Sequence, residues 1–236
     1  MIQRDGTRTS LWQNEIPIYK PVNDPDIETI FDVAIVGGGI TGISTALLLQ
    51  KAGKKCIVIE ANNLCFGTTG GTTAHLNTLL DTPYTTIIKN FGKENAQLVA
   101  SAAAEAIDLV RSNIAEYNID CGFEEASAYL FSQTKEQSEE LDEIYEACQE
   151  VGLDVSYNLS LPVNIEFEKA IEVRGQAKFH PIKYVYALAR AFEHAGGIIL
   201  QHTRVNGIED TDGITVETEN GDFRAVNLVY ATHTPP

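Results

Sequence analysis

A glycine-rich run, Gly37-Gly38-Gly39-Ile40-Thr41-Gly42, lies between a short apolar segment and a stretch of helical character, and it constrains this chain more than any other feature. The preceding Phe31-Asp32-Val33-Ala34-Ile35-Val36 is almost continuously apolar, as expected of a strand buried on both faces. Ile43 to Ala52 reads as a helix with Gly53 at its C-terminal cap, and Cys56-Ile57-Val58-Ile59 as a second buried strand ending in Glu60. These parts make one βαβ unit in roughly thirty residues. In that setting each glycine of the G-x-G-x-x-G pattern has a task. Gly37 permits the tight strand-to-helix turn, Gly39 leaves the backbone open to a diphosphate, and Gly42 allows close helix packing. The helix N-terminus adds unpaired N–H groups and the positive end of a dipole. Glu60, eighteen residues after Gly42, is placed to accept hydrogen bonds from ribose hydroxyls and to repel a 2′-phosphate.

The rest of the chain extends this unit. Residues 1–30 are polar, carry Pro17, Pro21 and Pro25, and read as an extended arm anchored by Leu11-Trp12. After a loop rich in Gly and Thr (62–78), Thr82-Pro83 suits the start of a short helix. Val99, Ala102, Ala103, Ala106, Val110, Ile114 and Tyr117 then fall on one helical stripe. Asp120 to Ser132 suggests a strand or hairpin. Thr134 and Gln137 open a helix that turns Leu141, Ile144, Tyr145, Cys148 and Val151 inward and stops at Gly152. Its many glutamates read as a solvated face. Residues 154–179 look irregular and strand-rich. Pro181 begins a further helix ended by Gly196-Gly197, with His180 capping or packing at its start, and Ile198-Ile199-Leu200 follows as a buried strand. Residues 203–226 alternate as a meander broken at Asp212-Gly213 and Asn220-Gly221, before a last strand, Leu228-Val229-Tyr230-Ala231. The order predicts a parallel α/β sheet with helices on both faces and a second, inserted region.

Charge and cysteine usage remove several classes of function. A formal charge of −16 would repel nucleic acid or an anionic membrane surface over most of the protein. No apolar run reaches the ~18–20 residues of a membrane span, and the N-terminus lacks the apolar core of a secretory signal. Cys56, Cys65, Cys121 and Cys148 show no metal-ligand spacing and read as free thiols in a reducing, cytoplasmic setting.

The glycine spacing alone does not separate FAD from NAD; the downstream loop does. Gly67-Thr68-Thr69-Gly70-Gly71-Thr72-Thr73-Ala74-His75 is built of small residues and hydroxyls, able to lie along a long cofactor and donate to its phosphates and ring edges. A nicotinamide dehydrogenase more often continues from the second strand into a helix and a third parallel strand. Residues 32–61, this loop, Phe179-His180-Pro181 and Ala231-Thr232-His233 resemble the FAD-dependent oxidoreductases of the D-amino-acid oxidase and glycine oxidase superfamily. The Ser10-Leu11-Trp12 start and the Thr-rich loop resemble the branch that carries a C-terminal Rieske iron–sulfur domain.

The resemblance implies a Rossmann-like FAD-binding domain, with a parallel sheet and a three-stranded β-meander, interrupted by part of an α+β substrate domain. Its expected layout is an arm (1–30), a first FAD segment (31–117), an inserted substrate segment (118–175) and a second FAD segment (176–236), with the chain reading as the N-terminal portion of a longer enzyme. It implies oxidation of a small amine or amino acid by hydride transfer to the flavin, with oxygen or an electron-acceptor domain or protein as partner. By position, Gly37, Gly39, Ile40, Thr41 and Gly42 would hold the pyrophosphate and Glu60 the ribose, with Ala61 beside it. Thr68, Thr69, Thr73, Ala74 and His75 would line the cofactor toward the flavin, and the backbone of Val205 would meet the adenine. Some relatives bind flavin covalently through a loop histidine; Gly71 stands at that position, so the expected FAD is non-covalent. A Rieske 2Fe–2S cluster is expected only if the chain continues beyond residue 236. No catalytic residue is identified. A dinucleotide-binding fragment without turnover and an NAD-linked dehydrogenase remain the competing readings.

Overall fold

A computed structural model describes residues 9–26, 28–211 and 213–233. Its elements are, in order, α1 (Leu11–Glu15), β1 (Ile30–Val36), α2 (Ile40–Lys51), β2 (Cys56–Ile59), α3 (Thr68–Gly71), β3 (His75–Leu76), α4 (Tyr84–Phe91), α5 (Lys93–Tyr117), β4 (Glu124–Ser132), α6 (Lys135–Glu150), β5 (Val155–Asn158), β6 (Lys169–Lys178), α7 (Pro181–His194), β7 (Ile198–Leu200), β8 (Val205–Asp210), β9 (Ile214–Thr218) and β10 (Phe223–Tyr230). They form two compact units. One gathers the described residues up to Thr73, Glu116–Cys121 and those from His180 onward; the other gathers Ala74–Ala115 and Gly122–Phe179.

The first unit is built on a six-stranded sheet in the order β7-β2-β1-β10-β9-β8. Strands β7, β2, β1 and β10 are parallel, and β9 and β8 continue antiparallel. Every residue of β2 and Val33 to Val36 of β1 are buried, which explains their unbroken apolar character. Val36 lies opposite Ile59 and Tyr230, and Ile59 opposite Leu200. The C-terminal ends of four strands are therefore level, and Gly37, Glu60 and Ala231 leave the sheet side by side. In open α/β sheets this edge is where ligands bind.

Several expectations change here. Helices do not cover both faces: α2 and α7 pack against each other. On the opposite face Ala34, Ile57 and Ile59 cluster with Val216, Phe223 and Ala225, so the meander supplies the apolar cover expected of a second helical layer. The third meander strand and the last strand are one element, β10, whose first residues pair with β9 while it pairs with β1 from Arg224 to Tyr230. Helix α2 begins at Ile40, inside the glycine motif, not at Ile43. The arm is not wholly extended, because Ser10 and Gln13 form a capping box that starts α1; Leu11 is exposed, and Tyr19 is the buried apolar anchor. The Asn220-Gly221 turn is present, with Gly221 at φ +116°. Asp212 of the other expected turn lies outside the described residues, as do Ile27 and residues 1–8 and 234–236.

The second unit is an antiparallel sheet in which β6 pairs with β4 along one edge and with β3 and β5 along the other. Tyr84, Ile87, Ala96 and Ala100 share a buried cluster with Leu141, Cys148, Ile171 and Val173. That cluster is why residues 74–115, expected within the first FAD segment, pack in this unit instead. It also re-aims α5. The buried stripe runs through Ala96, Ala100, Ile107 and Val110, while Ala102 and Ala106 face solvent. Alanine is too weakly apolar to mark a face, so a run of four in six residues fits either stripe. Helix α4 starts one residue late, with Pro83 as its N-cap, and 120–132 is a single strand from Glu124.

Candidate cofactor site

The site begins at the level ends of β1, β2 and β10. Gly37 sits at φ +116°, a conformation side chains rarely adopt, and a Cβ there would lie 2.7 Å from the Ala231 carbonyl oxygen. A Cβ on Gly42 would lie 1.9 Å from the Gly37 carbonyl oxygen, so this glycine is needed for the closeness of strand end and first helical turn. At Gly39 the nearest atom to such a Cβ is Thr69 Oγ1, at 3.0 Å. Gly39 is the N-cap of α2 and has no side chain to cap it. The cap comes from elsewhere in the chain: Thr69 Oγ1 accepts from the Ile40 N–H at 3.0 Å. The N–H groups of Gly39 and Thr41 meet no acceptor among the described residues. Such orphan donors at the positive end of a twelve-residue helix make a cradle for an anion.

Glu60 closes the other side. Its Oε2 accepts from Gly38 N–H at 2.7 Å and its Oε1 from Asn62 N–H at 2.8 Å, which ties the glycine turn to the loop after β2. Each carboxylate oxygen keeps a lone pair for a further donor. Leu64 packs where a Cβ on Gly38 would stand, at 2.4 Å, and Leu64 N–H donates to Gln201 Oε1. Beside them the Cys65 thiol is buried, and burial first, then the Glu60 carboxylate, pushes its pKa up; it is a neutral thiol, not a nucleophile.

The expected site residues fall into two sets. Gly37, Gly39, Ile40, Thr41, Gly42, Glu60, Ala61, Thr68, Thr69, Thr73 and Val205 belong to the first unit, Val205 as the first residue of β8. Ala74 and His75 belong to the second, where Ala74 is buried at φ +64° and His75 opens β3 opposite Lys178. Thr68 Oγ1 lies 3.1 Å from His233 Nδ1, a pairing that neither residue's surroundings in sequence disclose. Sequence reasoning also passed over Gly38, whose amide Glu60 holds. His180 is the N-cap of α7, its Nδ1 accepting from Lys183 N–H. No group of His, Cys, Asp or Glu with metal-binding geometry occurs among the described residues. None of their helices is long and apolar enough to cross a membrane.

A parallel sheet whose strand ends present a glycine turn, a helix N-terminus with unpaired amides and an acid after the second strand defines a dinucleotide-binding protein. The family is more specific: residues 32–233 match the model of the FAD dependent oxidoreductases, and the chain belongs to that family. Its cofactor is accordingly FAD, and the unpaired donors at Gly39 and Thr41 suit the diphosphate of that molecule. Among curated relatives, the putative Rieske 2Fe-2S iron-sulfur protein YhfW of Bacillus subtilis is 36% identical over 209 residues, 88% of this chain and 41% of that protein. Gamma-glutamylputrescine oxidoreductase of Escherichia coli is 27% identical, over 90% of this chain and 51% of its own length. The chain thus spans about half the length of these relatives. Glycine oxidase from Geobacillus kaustophilus shares the fold with a TM-score of 0.74 at 22% identity, covering 86% of this chain and 55% of the other. L-Amino acid deaminase from Proteus myxofaciens does so with a TM-score of 0.76 at 19% identity, covering 98% and 51%.

Proposed function

We propose that this chain is the cofactor-holding part of an FAD enzyme that oxidises a small amine or amino acid. The observation that carries the reading is the α2 N-terminus, capped from a distance by Thr69 while the amides of Gly39 and Thr41 stay unpaired. In this reading those amides and that of Gly42 hold the diphosphate, and the helix dipole offsets its charge. Glu60 accepts from the adenosine ribose through its remaining lone pairs, beside Ala61. Val205 offers backbone at the start of β8, and Thr68, Thr69 and Thr73 present hydroxyls along the cofactor. Gly71 offers no nucleophile to the flavin, so the cofactor is held without a covalent bond. When bound, FAD would supply the two-electron redox chemistry for oxidation of the carbon that bears the amine. The chain's own contribution is binding, orientation and charge. The names of the Escherichia coli and Geobacillus kaustophilus proteins support an amine or amino-acid substrate. The name of the Bacillus subtilis relative supports a Rieske 2Fe–2S cluster if the chain continues beyond residue 236. Four buried free thiols fit a reducing, cytoplasmic compartment.

Titration of the purified chain with FAD, followed by flavin fluorescence, tests the binding. Uptake of one FAD, released intact on denaturation, is the expected result; flavin that stays on the denatured chain overturns the non-covalent reading. Gly39→Asp sets a carboxylate in the cradle where only Thr69 is near, and should abolish uptake while the far-ultraviolet circular dichroism stays unchanged. Undiminished binding by that variant would remove the diphosphate from this place.

A further inference from the structure

Helix α1 lies outside the cofactor motifs, yet its N-cap Ser10 and its residues Trp12 and Gln13 spend their side-chain hydrogen-bonding capacity on one loop. Ser10 and Gln13 make a capping box: Ser10 Oγ accepts from Gln13 N–H at 3.2 Å, and Gln13 Oε1 accepts from Ser10 N–H at 3.1 Å. Each side chain then uses its donor elsewhere. Ser10 Oγ donates to the Gly70 carbonyl at 2.5 Å, and Gln13 Nε2 to the Phe66 carbonyl at 3.2 Å. Trp12 Nε1 donates to the Thr72 carbonyl at 2.8 Å. The three carbonyls bracket Thr68 and Thr69. Gly70 is fitted to this contact, since a Cβ there would stand 2.6 Å from Gln13 Nε2 and 2.2 Å from the Cys65 carbonyl oxygen.

The helix is itself held from behind. The Trp12 indole meets the His180 ring edge-on at 5.0 Å, and Glu15 Oε2 lies 3.3 Å from His180 Nε2. The partner in both contacts is His180, the N-cap of α7, a helix packed into the first unit. From that fixed base α1 reaches the loop, and Thr69, next to Gly70, reaches the Ile40 amide in the cradle.

We infer that α1 is a clamp whose residues Ser10, Trp12 and Gln13 position the 66–72 loop for the cofactor. The inference rests on the FAD-site reading above, and it assigns these three as positioning residues that need not touch FAD. Holding the loop before binding removes an ordering cost that FAD would otherwise meet. The donors act on backbone carbonyls, so the clamp sets the loop's path whatever its side chains do.

Ser10→Ala deletes the donor to Gly70 together with the capping acceptor for Gln13, and Trp12→Phe deletes the indole donor while keeping an aromatic ring at that place. Each should weaken FAD binding by about three- to tenfold in the fluorescence titration, the loss expected for one intramolecular hydrogen bond to the loop. Amide hydrogen exchange without FAD supplies the second readout. Gly70 and Gly71 donate to the Gly67 carbonyl, and their exchange should accelerate in both variants while that of β2 amides does not. Unchanged FAD affinity with only a lower melting temperature would overturn the clamp, leaving α1 a structural brace. Unchanged exchange at Gly70 and Gly71 would overturn it equally. If the wild-type chain takes up no FAD, the cofactor reading fails by itself, and the exchange result still decides whether α1 restrains the loop.

Discussion

At the scale of single residues, the glycines were legible and their partners were not. A G-x-G-x-x-G run after an apolar strand demands a close turn, and Gly37 and Gly42 meet that demand through contacts a Cβ would forbid. Nothing in the sequence ties Thr69 to Ile40 or Thr68 to His233, because those pairings depend on where a loop folds back. His180 shows both sides. A histidine before a proline reads as a helix start, and the structure makes its Nδ1 the N-cap acceptor. An accepting Nδ1 requires a neutral ring with its proton on Nε2. Glu15 is within ion-pair range of Nε2 but off line for a hydrogen bond, so burial wins and, with Lys183 adding to it, lowers the pKa below its usual value. The unfolded chain therefore takes up this proton at higher pH, near ~6.5, than the folded chain does. Stability should be full above that pH and fall as pH drops from there through the lower folded-state value. His180→Asn keeps a capping acceptor without titrating, and its stability should fall less steeply from pH 7.5 to pH 5 in urea denaturation. Parallel pH profiles for the two proteins would show that His180 is not the group responsible.

Elements declared themselves wherever one face is strongly apolar. The strands β1 and β2 follow from unbroken apolar runs, and the helices α6 and α7 from an apolar stripe set against exposed polar and charged residues. The stretch of the N-terminal arm from Tyr19 to Asn23 carried no such pattern because a carboxylate, more than an apolar stripe, holds it. Glu193 on α7 is buried, and its carboxylate accepts from Tyr19 Oη at 2.6 Å and from the Val22 and Asn23 amides at 2.8 and 3.2 Å. Asn23 Nδ2 donates to the Glu193 and Gly197 carbonyls. Burial first, then this hydrogen bond, pushes the Tyr19 phenol well above its ordinary range, so it stays a donor at any physiological pH. Backbone amides served by one distant side chain leave no trace in composition. Glu193→Ala would strand the buried Tyr19 hydroxyl and two amides, and should cost about 1–3 kcal/mol of unfolding free energy. It should also open the arm between Tyr19 and Asn23 to proteolysis. A variant as stable and as protease-resistant as wild type would mean that the arm is held by something other than this carboxylate.

For the molecule as a whole, each unit has its own buried cluster: Phe31, Ile57 and Val216 in the first, Tyr84, Leu141 and Ile171 in the second. The sequence marked an insertion but placed its start at residue 118, because the helices after the Thr-rich loop carry no sign of which core they serve. The cradle, Glu60 and the clamped loop all lie in the first unit. A ligand stabilises whatever must be folded to bind it, by about 2.7 kcal/mol at a hundredfold excess over its Kd. Amides of β1, β2 and the 60–73 loop that exchange through unfolding of the first unit should then slow about a hundredfold when FAD is added at that excess. Amides of α6 and β5, which exchange through opening of the second unit, should slow far less. Hydrogen exchange with mass-spectrometric readout separates the two sets peptide by peptide. Equal slowing in both would mean that the units open together and that FAD stabilises the chain as one cooperative body. Slowing confined to the second unit would place the cofactor on the wrong half of the chain, and the glycine turn would then be a turn and nothing more.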